Sequence, residues 1–130
     1  MLQKMTGSVN FVLYLINKTM NNYSSLILNT VNGSDFKLDL QNVKKAVMTL
    51  RAVNHKLRQQ ILKLIDENGK MTVTELYVKL RLEQSVASQH LAILRKAGFV
   101  KTTRDGKFIY YSVNASRMEE LNKFIEELLN

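Results

Sequence analysis

One stretch of the chain leaves little freedom in how it folds. From Thr72 to Val113 a helix-start signal, two short apolar helices and a pair of strand-like segments follow each other almost without a break. Thr72 with Glu75 three residues later has the form of a capping box, and Leu76 and Leu80 follow at one-turn spacing. After Arg81-Leu82-Glu83 a second helix is expected over about Gln84 to Ala97. Ala87, Leu91 and Leu94 recur there at steps of four and three, and Gly98 stands where a left-handed stop is wanted. Two helices joined by three residues give a helix-turn-helix. Phe99–Thr103 and Phe108–Val113 are β-branched and aromatic, and they flank Arg104-Asp105-Gly106-Lys107, where Asp-Gly favours a tight hairpin. The expected class is mainly α with a two-stranded β-ribbon. An isolated ribbon is marginal in water, so its apolar face must lie on the helices.

The flanks read as further helices. From Phe36 onward the periodicity is taken as helical, with Leu40, Val43, Val47 and Leu50 forming one stripe. A second helix is expected from about His55 to Asn68, burying Leu57, Ile61, Leu62 and Ile65 and stopped by Gly69. Ser116 with Glu119 is read as the cap of a last helix, on which Met118, Leu121, Ile125 and Leu128 line one face while four glutamates stay wet. Residues 1–35 form an Asn-rich N-terminal extension, read as a helix or tail that packs on the main domain or on a second subunit. Asn32-Gly33-Ser34-Asp35 is turn chemistry and sets the boundary before the organised domain, residues 36–130. The apolar run Val9–Ile16 is too short to span a bilayer and fits a signal peptide poorly, so a cytoplasmic protein is expected.

The chain carries a formal net charge of +8, with a pI near 9.8. The basic excess is confined to Phe36–Val113, whereas Asn114–Asn130 is net acidic. That division favours a polyanionic partner on one face, with nucleic acid ahead of an acidic membrane surface. The absence of Cys removes disulfides, thiolate metal ligands and Cys nucleophiles together. Neither a phosphate-cradling glycine loop nor a nucleophile–base pair is present, so the chain is not read as an enzyme and no cofactor is expected.

With Ala87, Leu91 and Leu94 facing the core, the second helix of the pair presents Ser85, Ser88, Gln89, Ala92 and Lys96 outward. A face wet only by water usually carries Glu, Lys and Arg. Small hydroxyls and an amide suit a surface entering a groove about 12 Å wide, where Gln pairs with adenine and Ser serves base edge or phosphate. The residues expected to bind DNA are Gln84, Ser85, Val86, Ser88, Gln89 and His90 on the first turns, Arg95 and Lys96 at the helix end, and Arg104 and Lys107 on the ribbon. His90 is read as a flanking residue that packs or touches phosphate.

The segments Leu80-Arg81-Leu82-Glu83-Gln84-Ser85-Val86-Ala87-Ser88-Gln89-His90-Leu91-Ala92-Ile93-Leu94-Arg95-Lys96-Ala97-Gly98-Phe99-Val100 and Arg104–Ser112 resemble the ArsR family of winged helix-turn-helix repressors, and the similarity covers roughly Leu50 to Val113. The resemblance implies a homodimer built from the first and last helices, a recognition helix in the major groove, a wing beside it, and repression relieved by an inducer. The family's metal sites are not filled. Tyr77-Val78-Lys79 stands where its arsenic and cadmium sensors have Cys-Val-Cys, and the last helix has no His, so no metal is expected and the inducer is unknown. Arg81 departs from the Gly or Asn common at the turn, and it bears strain if that position requires positive φ.

The partners expected are double-stranded DNA with an inverted-repeat operator and a second copy of the chain, whose interface uses Leu121, Ile125 and Leu128 with Leu40, Val43 and Val47. No membrane partner is expected, because the basic residues ride on a globular fold and not on one amphipathic helix. The alternative is a winged-helix module for protein–protein contact without sequence-specific DNA binding. It would share the core pattern but has no use for the basic ribbon.

Overall fold

The structure is a computed structural model that describes residues 10–12, 24–30 and 32–130. It divides into two compact units, Met1–Val47 and Met48–Asn130, which meet inside a helix. In the first unit, β1 (Ser25–Asn29) pairs antiparallel with β2 (Asp35–Asp39), with Leu26 opposite Leu38 and Leu28 opposite Phe36. Those four side chains share one face of the ribbon, and all are exposed. The helix α1 (Leu40–Val53) follows at once. Asp39 caps it, its Oδ1 accepting from the backbone N–H groups of Gln41 at 2.9 Å and Asn42 at 3.3 Å.

The helical reading of Phe36–Asp39 is therefore corrected: the stripe from Leu40 is helical, but the four residues before it are strand. The alternation Leu26, Leu28 and Phe36, Leu38 about the Asn32-Gly33-Ser34 turn has period two, and that turn closes a hairpin. Most of the expectation of a helix or tail in residues 1–35 lies outside the described residues, and Ser25–Asn29 is strand.

In the second unit α2 (Lys56–Asn68) begins on His55, whose Nδ1 accepts from the Arg58 N–H, and ends at Gly69 with φ 77°. Next come α3 (Val73–Leu80), opened by the Thr72–Glu75 capping box, and α4 (Gln84–Lys96). The wing is β3 (Val100–Asp105) paired with β4 (Phe108–Val113), and α5 (Ala115–Leu129) closes the chain. Met71, between α2 and α3, adds a single antiparallel bridge to the wing, exchanging backbone hydrogen bonds of 3.0 and 2.7 Å with Tyr111. The sheet and the helical layer are thereby joined through the backbone as well as through the core.

That core is Ala52, Ile61, Leu62, Ile65, Met71, Leu76, Ala87, Leu91, Leu94, Phe99 and Val100, with no polar side chain buried among the described residues. The stripe expected for α4 is the one buried. Gly98, at φ 84°, turns the chain out of α4 so that Phe99 can donate to the Leu94 carbonyl at 3.0 Å and enter the core.

Two local readings change. The cap of α5 is Asn114 and not Ser116: Asn114 Oδ1 accepts from the Arg117 N–H at 3.3 Å and from the Ser116 hydroxyl at 2.9 Å. Asparagine prevails because its amide also donates to the Gly98 carbonyl at 3.0 Å, which a serine cannot reach while capping. The hairpin turn is Gly106-Lys107, one residue later than Asp-Gly, because Asp105 pairs with Phe108. Glycine at the first central position with φ 61° matches the II′ turn that the right-handed twist of the strands prefers.

Arg81 is the one non-glycine residue with positive φ among the described residues, at φ 55° and ψ 45°, where it caps α3. The strain expected of this turn is present. Arg81→Val, which adds β-branching in the left-handed region, should lower stability by about 1 kcal/mol or more, and Arg81→Gly should raise it by up to about 1 kcal/mol. Urea denaturation of the two variants checks this, and equal midpoints would refute it.

Candidate nucleic-acid interface

The candidate interface is built on α4 because, among the described residues, that helix is held on one side only. Ala87, Leu91 and Leu94 fix its inner stripe, while Gln84, Ser85, Ser88, Gln89 and Ala92 remain exposed along the outside. The structure thus brings together four of the expected contacts, Gln84, Ser85, Ser88 and Gln89, on the first turns of one open face. Among the described residues none of the four side chains forms a hydrogen bond, so their donors and acceptors are unspent. Val86, also expected at the DNA, is half-buried. Arg95 and Lys96 are exposed in the last turn, where their charges also complement the helix dipole. The N-cap of α4, Glu83, makes no side-chain cap hydrogen bond.

The wing tip is basic and exposed. Arg104 Nε donates to the Gly106 carbonyl at 3.4 Å, which stiffens the turn, and Lys107 Nζ lies 5.3 Å from the centroid of the Phe108 ring. Both cations remain open to solvent.

His90 has a different setting from its neighbours. It is half-buried, its Nδ1 lies 3.3 Å from Arg58 Nη1, and its ring centroid is 5.0 Å from that of His55. Burial, reinforced by His55 and the Arg58 guanidinium, holds its pKa below the usual imidazole value. Arg58 is the residue that pattern reasoning missed. Its Nε donates to the Ala52 carbonyl at 2.7 Å and its Nη2 to the Arg51 carbonyl at 2.9 Å, so one guanidinium joins the end of α1 to α4. The available signal was spacing: Arg58 follows the N-cap of α2 by three residues, so its side chain points back past the cap toward the preceding helix.

Among the described residues, no three His, Cys, Asp or Glu side chains come together to hold a metal, and no helix is long and apolar enough to cross a membrane.

Comparison with known proteins places this geometry. Residues 55–102 match the model of the bacterial regulatory protein arsR family. An HTH-type transcriptional regulator of Methanocaldococcus jannaschii is 36% identical over 89 residues, which is 68% of this chain and all of that protein. The solved structure of reduced HlyU from Vibrio cholerae is 34% identical and superposes with a TM-score of 0.52 over 68% of this chain and 92% of its own. That of the transcriptional repressor PagR of Bacillus anthracis is 29% identical, with a TM-score of 0.53 over 67% of this chain and 99% of its own. Helix pair, wing and relatives agree: this chain is a winged helix-turn-helix protein of the ArsR family.

Proposed function

We propose that the protein is a sequence-specific DNA-binding transcriptional regulator that acts in the cytoplasm as a dimeric repressor on an inverted-repeat operator. The observation that carries this reading is the outer face of α4. Its exposed Gln84, Ser85, Ser88 and Gln89 are short, uncharged and unspent in hydrogen bonding, while cations are supplied separately by Arg95, Lys96, Arg104 and Lys107. Base edges are read by such polar groups, and phosphates are held by cations at the margins. The names of relatives support regulation of transcription: HlyU of V. cholerae is called an activator and PagR of B. anthracis a repressor. The repressor reading is supported by the name of PagR and by occupancy, since a duplex covered by helix and wing is closed to other proteins.

Dimerisation is supported by open apolar faces. On α5, Leu121 and Ile125 are half-buried, and Phe124 and Leu128 are exposed; α1 leaves Val43 and Val47 exposed. Such patches mark association. A two-fold dimer sets its recognition helices about 34 Å apart, one duplex turn.

Fluorescence anisotropy of a labelled duplex from the protein's own upstream region tests the function, with sedimentation velocity at the same concentrations. The expected result is a dimer that prefers this duplex to random DNA, with affinity falling linearly in log salt. A stable monomer at micromolar concentration would remove the dimer. Equal binding to all duplexes, or stronger binding to acidic vesicles, would remove the sequence-specific reading.

A further inference from the structure

We propose that Arg58 is a positioning residue that ties the recognition helix to the end of α1 through a neutral His90, and that acidification releases duplex DNA by breaking this tie. The inference rests on the duplex-binding reading above. Arg58 spends Nε and Nη2 on two adjacent carbonyls, Ala52 and Arg51, and carbonyls at a helix end are otherwise unsatisfied. Its remaining Nη1 reaches His90 Nδ1, on the one helix whose outer face reads the duplex. Guanidinium nitrogens only donate, so Nδ1 must accept, which requires His90 to carry its proton on Nε2 alone.

The surroundings make protonation costly. The charged groups acting on His90 are His55, at the start of α2, and Arg58, one turn later. From α1 the cluster receives carbonyls. Among the described residues the ion pairs are Lys63–Glu67 and Arg117–Glu120, so no carboxylate pairs with Arg58 or with either imidazole to absorb a second positive charge. A proton on Nδ1 therefore replaces a hydrogen bond by two facing donors and sets an imidazolium against a guanidinium. The sign follows. His90 is harder to protonate in the folded chain, so its contribution is complete above the ordinary imidazole pKa and is lost as pH falls through the depressed folded value. The side chain that moves lies directly after Gln89, so the loss appears in the placement of the reading face and not only in stability.

The test is duplex affinity at constant ionic strength from pH 7.5 to pH 5.5, on the full chain. The wild-type protein should lose about tenfold in affinity, within the usual range for coupling between sites. His90→Gln keeps an acceptor for Arg58 and cannot titrate, so its affinity should stay flat, whereas His55→Gln should retain most of the fall. Failure of the wild-type protein to bind duplex at pH 7.5 would refute the DNA reading and take this proposal with it. Binding at pH 7.5 with no loss at pH 5.5 would overturn the proposal alone. So would affinity that rises on acidification, the signature of an imidazolium touching phosphate, or a pH dependence that survives in His90→Gln. Should that variant fail to fold, the His90 imidazole proton resonances of the wild-type protein decide: a titration midpoint coinciding with that of affinity supports the tie, and a clear mismatch overturns it.

Discussion

Phe99→Ala should destabilise the Met48–Asn130 unit by about 3 to 5 kcal/mol, the usual cost of deleting a buried phenyl ring when its surroundings cannot close on the gap. Phe99 is fully buried and among the largest side chains so placed. It follows directly after the Gly98 turn, and its backbone is used on both sides, donating to Leu94 and accepting from Asn114 at 2.8 Å. Arg117 covers the ring, its guanidinium carbon 5.9 Å from the centroid. With both backbone bonds fixed, neighbouring chain cannot slide in to fill the hole. Small domains are stable by about 5 to 15 kcal/mol, so this loss removes a large share of the total. Urea denaturation followed by circular dichroism measures it. Phe124→Ala, at an exposed phenyl on α5, should shift the midpoint far less at low protein concentration. A Phe99→Ala loss below about 1 kcal/mol would show that the ring is not what holds wing to helix.

Gln89→Ala should weaken the preferred duplex by about 1 to 3 kcal/mol and leave random DNA nearly unaffected, because an amide that pairs with one base edge carries sequence information and little else. Lys107→Ala should weaken all duplexes alike and lower the slope of log K against log salt by about 1, since a cation on a hairpin tip acts on the backbone or a narrow groove. The local structure supports this division. Gln89 is exposed on a helix fixed by three buried residues, so its position is defined, while Lys107 sits in a two-residue turn at the far end of a ribbon. Anisotropy titrations with specific and random duplexes at several salt concentrations distinguish the two signatures. If Gln89→Ala lowered both affinities equally and Lys107→Ala only the specific one, the roles of helix and wing would be reversed.

What was legible in the sequence was what local chemistry determines. The capping box at Thr72, the glycines that stop α2 and α4, and the apolar stripe of α4 each act within one or two turns, and each is found in place. What escaped needed a partner distant in the chain. The β1–β2 ribbon is visible only when Leu26 and Leu28 are set against Phe36 and Leu38, and the Leu40 stripe that follows suggested an earlier helix start. Met71 reads as a loop residue until Tyr111 pairs with it. The cap of α5 went to Asn114 over Ser116 because Gly98, 16 residues away, offers the amide a carbonyl. His90, read as part of a DNA-contacting run, has its setting decided by Arg58, 32 residues earlier. The open face of α4 was legible for the opposite reason: nothing distant among the described residues covers it, so helical angle alone places its side chains.

Asn114 also sets the direction in which α5 leaves the second unit. Five hydrogen bonds converge on this residue, two to Gly98 and Phe99 after α4 on one side and three from the first turn of α5 on the other. The 15 residues of α5 extend about 22 Å beyond it. Its first half is held by Asn114 and by Met118 and Leu121 packed on the core, so the helix is a lever with its fulcrum at this end: a tilt of about 5° displaces the far end by about 2 Å, given the helical rise. In the proposed dimer, joined along α5, a slight rotation at the fulcrum changes the separation of the two readers. Substitutions at Asn114 should then alter the spacing between half-sites that the dimer accepts, and leave unchanged the bases that each half-site must contain.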